Sequence, residues 1–463
     1  MEKAGIFAGP RIRRLRREQA LTQTAMAERL GISDSYLALI EGNRRPLTAT
    51  LILKLADLFD FDVRSLAQDE PGGGSAALRR RLSDPLFSDI SIDRAELEAW
   101  IDNAPGAAEA FSRLFDRWQQ GGQASGGEGD EVMLAVRREI ERWRNHFADL
   151  DTAAEELADE LRLGSADLYG AISERLRTRH QLSIRILPLE TLPDRLSRLD
   201  LHARQLQLSE MLDPAARTFQ AAYHLAGIEA ANEIAGLVKG AAFGNRAAER
   251  LYRRHVTAYF AAALMMPYGR FLRACEASGY DLELLQRRFG ASFEQVAHRL
   301  TSLQRVGARG LPFFMLRVDR AGQASKRYAG ASASPLVEGA QRCPIWGIHR
   351  AFDRPGAIEV TLAELEDGTR WVTLASAVRR QAGSVGAPSA EFVVALGLSA
   401  AQAGTLVHAR GLDLARAPAE PIGLSCRQCL RADCIQRARP PAGRAMTISD
   451  RERAMAPFSF VGD

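Results

Sequence analysis

The chain has 463 residues, 46% of them hydrophobic and 25% charged, with a formal net charge of +4. That length suits roughly two to four domains, and the balance of apolar and charged residues describes folded cores rather than a disordered chain. No uninterrupted apolar run reaches about 18 residues and the first residues lack a signal-peptide core, so a cytoplasmic protein with no membrane partner is expected.

Chain order begins with an Arg-rich segment, Arg11, Arg13, Arg14, Arg16 and Arg17, in which Ile12 and Leu15 sit at helical spacing. Residues 21–48 read LTQTAMAERLGISDSYLALIEGNRRPLT. Thr22 is placed to cap a helix carrying Met26, Ala27 and Leu30 on one face, and Gly31 follows where a left-handed residue is wanted. Ile32 turns inward, Ser33 caps a second helix with Leu37 and Ile40 on its buried face, and Gly42 ends it. The exposed side of this second helix starts with Ser33, Asp34, Ser35 and Tyr36, the first-turn positions that reach base edges when such a helix enters a major groove. Gln23 is placed for a phosphate, and so are Arg44 and Arg45 beyond the reading helix. Thr48 opens a helix with Leu51, Leu55 and Leu58, and five short helices fit residues 10 to 68. Gln23, Ala27 and Gly31-Ile32-Ser33, followed by YLALIEGNRRP, resemble the lambda-repressor-like, XRE-type DNA-binding domain over residues 10–68. The resemblance implies double-stranded operator DNA as partner.

Two Gly-rich breaks follow, DEPGGGSA at 69–76 and GGQASGGEGD at 121–130. Between them Leu97, Trp100, Ile101, Phe111, Leu114, Phe115 and Trp118 are spaced for helices, and after them Leu134, Val136, Ile140, Trp143 and Phe147 lead into LDTAAEELADEL. The domains are therefore expected at 1–68 (head), 69–150 (linker and helical connector), 151–300 and 301–463. LSIRILPL reads as a strand and RLDLHARQLQLSEML as a hairpin around Ala203 and Arg204. Long apolar helices are expected over Thr218–Leu237 and His255–Ala274. This arrangement resembles the ImmA/IrrE metallopeptidase-like fold, in which a His-Glu-x-x-His helix holds zinc. Here Tyr223 and Gly227 occupy the two His positions and His224 the Glu position. FAAALMMP at 260–267 keeps the family signature, while His255 or Val256 fills the acidic ligand position upstream. A metallopeptidase acting on a repressor is the competing enzyme class, and its ligands are missing. What remains is a shell that can serve as a ligand pocket around Tyr223 and His224.

The last third holds a helix, a Gly-rich turn and an apolar strand at Phe313–Val318, then RCPIWGIHRAFDRPGAIEV at 342–360 and PIGLSCRQCLRADCIQRARPP at 421–441. Of the five cysteines, Cys275 lies within a helix, while Cys426, Cys429 and Cys434 form C-x2-C-x4-C, with Cys343 far upstream. Three thiolates within nine residues suit one metal or cluster, and spacing alone leaves iron–sulfur and zinc nearly even. Arg427, Arg431 and Arg437 would offset thiolate charge. Taken with the head and the metal-less region, these blocks resemble the short-chain fatty acyl-CoA transcriptional regulator family across nearly the whole chain. The resemblance implies a regulator of propionyl-CoA, methylcitrate, glyoxylate-bypass or acetate genes with a short-chain acyl-CoA effector. It also favours a [4Fe–4S] cluster over zinc, with Cys343 or a non-protein ligand at the fourth iron. Coenzyme A needs cations for its phosphates and an apolar slot, for which Arg270, Arg273, Arg317, Lys326 and Arg327 stand near Tyr268, Phe271, Phe313 and Trp346 in sequence. The expected protein is multidomain and mainly α: an all-α helix-turn-helix head, an α+β ImmA/IrrE-like domain and an α+β C-terminal domain. It should be a homodimeric transcription factor rather than an enzyme, with an antitoxin-like autoregulator as a further class.

Overall fold

The computed structural model describes residues 9–19, 21–42, 44–59, 74–84, 87, 90, 92–119, 128–162, 167–338, 342–381 and 389–460. They belong to two compact units, Met1–Gly122 and Gln123–Asp463. The span 69–150 is thus divided between the units.

In the first unit, α1 (Gly9–Glu18), α2 (Gln23–Leu30), α3 (Asp34–Glu41) and α4 (Ala49–Phe59) enclose Ile12, Met26, Leu30, Leu37, Ile40 and Leu55. Local chemistry fixes their ends. Thr22 Oγ1 accepts from Ala25 N at 3.1 Å, Ser33 Oγ from Tyr36 N at 3.2 Å, and Thr48 Oγ1 from Leu51 N at 3.3 Å, each relieving an orphaned amide of a first turn. Gly31 adopts φ 67 and closes α2 by donating to Ala27 and Glu28 carbonyls. Lys54 Nζ adds a bond to Leu30 O at 2.7 Å. Leu58, expected inward, is 51% exposed, and the fifth helix of the 10–68 pattern would fall on residues 60–68, outside the described ones.

Helices α5 (Gly74–Leu82), α6 (Arg94–Asn103) and α7 (Pro105–Gln119) pack around Leu78, Leu97 and Ala108, with Trp100 edge-on to Phe111 at 5.4 Å. Leu114 is 70% exposed instead of buried. The end of the first expected linker, Gly74–Ala76, already belongs to α5, while 69–73 lie outside the described residues. Likewise Glu128–Asp130 open α8, and 121–127 lie outside.

The second unit begins with α8 (Glu128–Arg142), α9 (Ala148–Arg162) and α10 (Leu168–His180). A small sheet follows, β1 (Ser183–Leu187), β2 (Ser197–Asp200) and β3 (Gln205–Ser209), in the order β1-β3-β2. β2 and β3 make the expected antiparallel hairpin, its turn held by Asp200 Oδ1 accepting from Ala203 N at 2.9 Å and by Arg204 at φ 51. The remaining helices are α11 (Pro214–Glu229), α12 (Ala231–Gly240), α13 (Arg246–Met265), α14 (Tyr268–Ser278), α15 (Leu282–Phe289) and α16 (Phe293–Thr301).

Two expected long helices are each broken. Thr218–Leu237 divides at Ala230, which leaves helical geometry at φ −109, ψ 24, so that Ile234 and Val238 of α12 reach the same core as α11. His255–Ala274 divides at Pro267, which has no N–H to continue α13 and opens α14 instead.

Six further strands, β4 (Phe314–Val318), β5 (Ala324–Tyr328), β6 (Glu359–Glu364), β7 (Arg370–Gln381), β8 (Ser389–Ser399) and β9 (Glu420–Pro421), form a sheet ordered β5-β4-β8-β7-β6-β9. Its pairs are antiparallel except β6 with β9. Side chains alternate between two cores, as a strand period of two requires. Met315, Val394 and Leu396 join Phe271 and Leu300 on one face; Leu316, Val393 and Ala395 join Trp346 and Phe352 on the other. A hairpin of β10 (Met446–Thr447) and β11 (Ser459–Phe460) follows.

A buried ion pair links the early helices to the later ones. Arg299 Nη2 of α16 donates to Asp151 Oδ1 of α9 at 2.6 Å, with side chains 1% and 0% exposed. Arg299 also donates to Met266 O at 3.0 Å and Ser302 Oγ at 3.1 Å, and Tyr259 OH of α13 donates to Asp151 Oδ2 at 2.7 Å. Burial pushes the Asp151 carboxyl up, but the Arg299 charge and the bonds from His146 and Tyr259 outweigh it and hold it below the ordinary value. Removing one partner leaves the other charge buried alone, so Arg299→Met should cost about 3–5 kcal/mol at neutral pH. A carboxyl held low in the folded state contributes fully above its unfolded value of about 3.9, and the contribution is lost as pH falls through the lower folded value. Urea unfolding should therefore show a wide gap between Arg299→Met and the parent at pH 7 that narrows at about pH 3. An equal gap at both pH values would assign the loss to packing.

Candidate functional site

On the reading helix α3, Ser33, Asp34 and Ser35 are exposed, while Tyr36 is half-buried against the head's core. Ser33 is occupied as a cap, and Asp34 Oδ2 accepts from Thr24 Oγ1 at 2.9 Å, tying the first turn of α3 to α2. The Ser35 hydroxyl stands in solvent beside them. Gln23, expected at a phosphate, donates from Nε2 to Glu41 Oε2 at 3.2 Å. Glu41 is the functional residue that the sequence pattern hides. It is 3% exposed and accepts from Arg16 Nε at 2.7 Å and Arg16 Nη2 at 3.0 Å, while Arg13 Nη2 bonds its carbonyl at 3.1 Å. The Glu41 hydrogen bond raises the Arg16 guanidinium further above its usual range. Arg44 and Arg45 donate their backbone amides to Leu39 O at 2.8 and 3.2 Å, and their side chains are exposed. The side chains of Arg11, Arg14 and Arg17 lie outside the described residues.

Tyr223, His224 and Gly227 lie together on α11. His224 Nε2 stands 2.9 Å from Ser197 Oγ of β2, and Ser197 Oγ donates to Gln220 Oε1 at 2.9 Å. Burial pushes His224 down to about 4, so at neutral pH its ring is uncharged. Nothing lies within 4 Å of where a Cβ on Gly227 would be; open space replaces the second imidazole of a zinc helix. His255 is engaged elsewhere, with Nε2 3.2 Å from Asn145 Oδ1 and its ring 5.8 Å from His298 and 5.7 Å from Tyr328. Burial pushes it down to about 3. One imidazole hydrogen-bonded to a serine, a tyrosine and a glycine do not fit the tetrahedral demands of catalytic zinc.

The cations expected around coenzyme A are engaged by different carboxylates. Arg270 pairs with Asp159 of α9. Arg317 and Lys326 do meet: they face each other across β4 and β5 and share Glu294 Oε1, at 3.0 and 2.6 Å. Arg317 also donates to Ser325 Oγ at 2.9 Å and lies over the Phe392 ring at 4.7 Å.

The C-terminal cysteines gather around a buried cation. Arg437, 2% exposed, donates to the carbonyls of Cys426 at 2.9 Å, Cys429 at 3.0 Å and Arg431 at 2.6 Å, and its guanidinium lies over Phe460 at 5.0 Å. One side chain thereby folds the loop on itself. A Cβ at Gly423 would come within 2.8 Å of Cys429 Sγ, so a glycine is needed where the thiol packs. Burial pushes the Cys343 thiol up. Burial, aided by Glu366, pushes Cys429 up to about 12. Among the described residues no group of three or more Cys, His, Asp or Glu side chains is close enough to hold a metal ion, so the expected set of Cys426, Cys429, Cys434 and Cys343 is not assembled as ligands here. Cys275 is buried in the α14 core and takes no part.

Comparison with known proteins places these features in a family. A helix-turn-helix domain model matches residues 8–68, an IrrE N-terminal-like domain residues 177–301, and the short-chain fatty acyl coenzyme A regulator C-terminal domain residues 302–458. A protein named propionyl-CoA carboxylase regulator, from Cereibacter sphaeroides, is 36% identical and aligns over 98% of this chain and 99% of its own. The HTH-type transcriptional regulators RamB and PrpR of Mycobacterium tuberculosis are 34% and 32% identical, each over 98% of this chain and over 98% and 96% of their own. A solved Mycobacterium tuberculosis transcriptional regulator matches 70% of this chain and 98% of its own, with a TM-score of 0.66 at 33% identity. A head built to read DNA, an IrrE-like region without its zinc ligands and a cysteine-bearing C-terminal domain thus occur in the order of these relatives, and the chain belongs to the short-chain fatty acyl coenzyme A regulators.

Proposed function

We propose that this chain acts in the cytoplasm as a homodimeric, sequence-specific transcriptional regulator of short-chain acyl-CoA metabolism, with a short-chain acyl-CoA as its effector. The observation that carries the reading is the reader helix itself: Glu41 locks α3 to α1 and α2 and leaves Ser35 and the Arg44 and Arg45 side chains exposed. Relatives aligned along nearly their full length are named as HTH-type transcriptional regulators or as a regulator of propionyl-CoA carboxylase, which supports a non-enzymatic role. A dimer would set two such helices on half-sites one helical turn apart, about 34 Å.

Sequencing the DNA retained by the purified protein, with and without propionyl-CoA and acetyl-CoA, tests operator and effector together. An effector that changes neither the recovered sequences nor their amount would remove the sensing half of the reading. On the recovered operator, Ser35→Ala should cost about 1–3 kcal/mol and leave random DNA nearly unaffected. Arg44→Ala should instead weaken all DNA and lower the salt slope by about one. Equal loss on operator and random DNA from Ser35→Ala would take that residue out of base recognition.

We further propose that Cys426, Cys429 and Cys434 hold a [4Fe–4S] cluster, with Cys343 or a non-protein ligand at the fourth iron. Such a group would supply an oxidant-sensitive centre, and Arg437 would keep the loop closed around it. Anaerobic purification should give a brown protein with broad absorption near about 400 nm, lost in Cys429→Ser. One equivalent of zinc without colour would assign a structural zinc loop instead.

A further inference from the structure

Helix α13 carries its positive charge on one side. At 3.6 residues per turn, Arg246, Arg250, Arg253 and Arg254 fall within about 100° of arc, and all four are exposed. The opposite side, with Ala248, Tyr252 and Val256, is buried in the core. None of the four guanidiniums has an ion-pair or hydrogen-bond partner among the described residues. Glu249, the one acid of the helix, lies in its first turn and pairs with neither Arg246 nor Arg253, although both are within one turn of it. Elsewhere in this unit exposed arginines are answered on their own helix, Arg142 by Glu139, Arg177 by Glu174 and Arg287 by Glu283.

Helix stability does not account for this stripe. Arg246 opens the helix at the positive end of its dipole, where an acid is favoured. Arg246 with Arg250 and Arg250 with Arg254 are like-charge pairs at i,i+4 spacing, which destabilise a helix. Asn245 caps one amide, its Oδ1 accepting from Ala247 N at 2.6 Å, and brings no negative charge. An anion from outside the chain relieves the stripe, and the spacing describes that anion. Arg246 and Arg254 are separated by about 12 Å of helix, the axial length of roughly three or four phosphates on one strand of a duplex. The stripe is an exposed helix face rather than a pocket, so a single small anion would meet only part of it. A membrane surface would require large apolar side chains beside the cations, and among the described residues α13 exposes none.

We infer that the N-terminal half of α13 is a DNA-contacting surface, on which these arginines meet backbone phosphates and read no base. The inference rests on the reading of the chain as a DNA-binding regulator and adds a contact outside the head. Phosphate contacts release counterions, so they register in the salt dependence of binding and not in sequence preference. Binding of full-length protein to a long random-sequence duplex and to the recovered operator is measured between about 50 and 200 mM salt. Arg246→Gln, Arg250→Gln and Arg254→Gln combined should lower the slope of log affinity against log salt by about 2–3 on both duplexes, and Arg250→Gln alone by about one. The preference for operator over random DNA should stay as in the parent. Removing like charges from an exposed face should leave the thermal midpoint at or above the parent's, and the single variant carries the test if the triple one loses its fold.

Arg177→Gln, Arg287→Gln and Arg379→Gln combined remove the same charge from exposed but ion-paired positions, and should leave the slope near that of the parent. An unchanged slope in the α13 variants overturns the surface. An equal fall in the ion-paired control does so too, because it would reduce the effect to net charge, and so does a loss confined to the operator, since phosphates carry no sequence. Arg44→Ala separates this surface from the head. A slope lowered by Arg44→Ala and untouched by the α13 variants leaves the head reading in place and removes this one, whereas a parent that retains no duplex removes both.

Discussion

The second unit depends on a charge that water never reaches. Asp151 and Arg299 are 148 residues apart and both buried, and burying two such ions costs several kcal/mol each before any attraction is counted. What makes the arrangement tolerable is that both ions are bonded beyond each other. Asp151 receives Tyr259, and Arg299 reaches the Met266 carbonyl at the break before Pro267 and the Ser302 hydroxyl at the end of α16. Tyr259 and Tyr268 lie beside its guanidinium at 5.6 and 5.5 Å. Apolar packing alone would let α9, α13, α14 and α16 slide by a fraction of a turn at small cost; a multiply bonded buried pair admits one register.

The same device recurs at smaller scale. Glu41 is a buried acid that fastens three helices of the head, and Arg437 is a buried cation that fastens the cysteine loop by its carbonyls. In the IrrE-like region the polar tie is neutral: His224, Ser197 and Gln220 join α11 to β2 at the place where a metal would otherwise cross-link the fold. A hydrogen-bonded triad of this sort holds the helix to the sheet without ligating anything, which leaves the open space beside Gly227 unfilled.

These ties divide what the sequence discloses from what it conceals. Thr22, Gly31, Ser33 and Thr48 are legible because a cap is decided within three or four residues, and the hairpin at Ala203 and Arg204 is legible because strand period and turn lie side by side. Pro267 is equally visible, and a helix drawn through it on apolar spacing alone ignores a missing amide. Glu41 is not visible, since nothing in YLALIEGNRRP distinguishes an acid in solvent from one buried beneath Arg16, 25 residues earlier. Gln23 misleads for the same reason: its partner lies across the fold, and a free amide at a helix start looks like a phosphate ligand. Arg270, Arg317 and Lys326 are neighbours by sequence and apolar context, whereas Asp159 and Glu294, which decide their use, come from other helices. Periodicity reports which face is apolar; it does not report which charge answers which.

Helix α16 shows how these pieces meet. Its N-terminus is fixed by a capping box between Ser292 and Gln295, and Glu294 in that first turn holds Arg317 and Lys326 of the sheet edge. One turn on, His298 packs its ring on Tyr328 at 4.6 Å, and the next residue is Arg299. A shift of β4 and β5 therefore cannot leave Asp151 and α9 indifferent, because a single nine-residue helix carries both contacts and a helix moves as a rigid rod. Coupling between two sites needs a contiguous element with two arrangements whose balance each site can bias. A ligand that competed for Glu294, or that drew Arg317 or Lys326 away from it, would act on α16 directly. Through Arg299 it would then act on the ion pair that sets the register of the four helices around it.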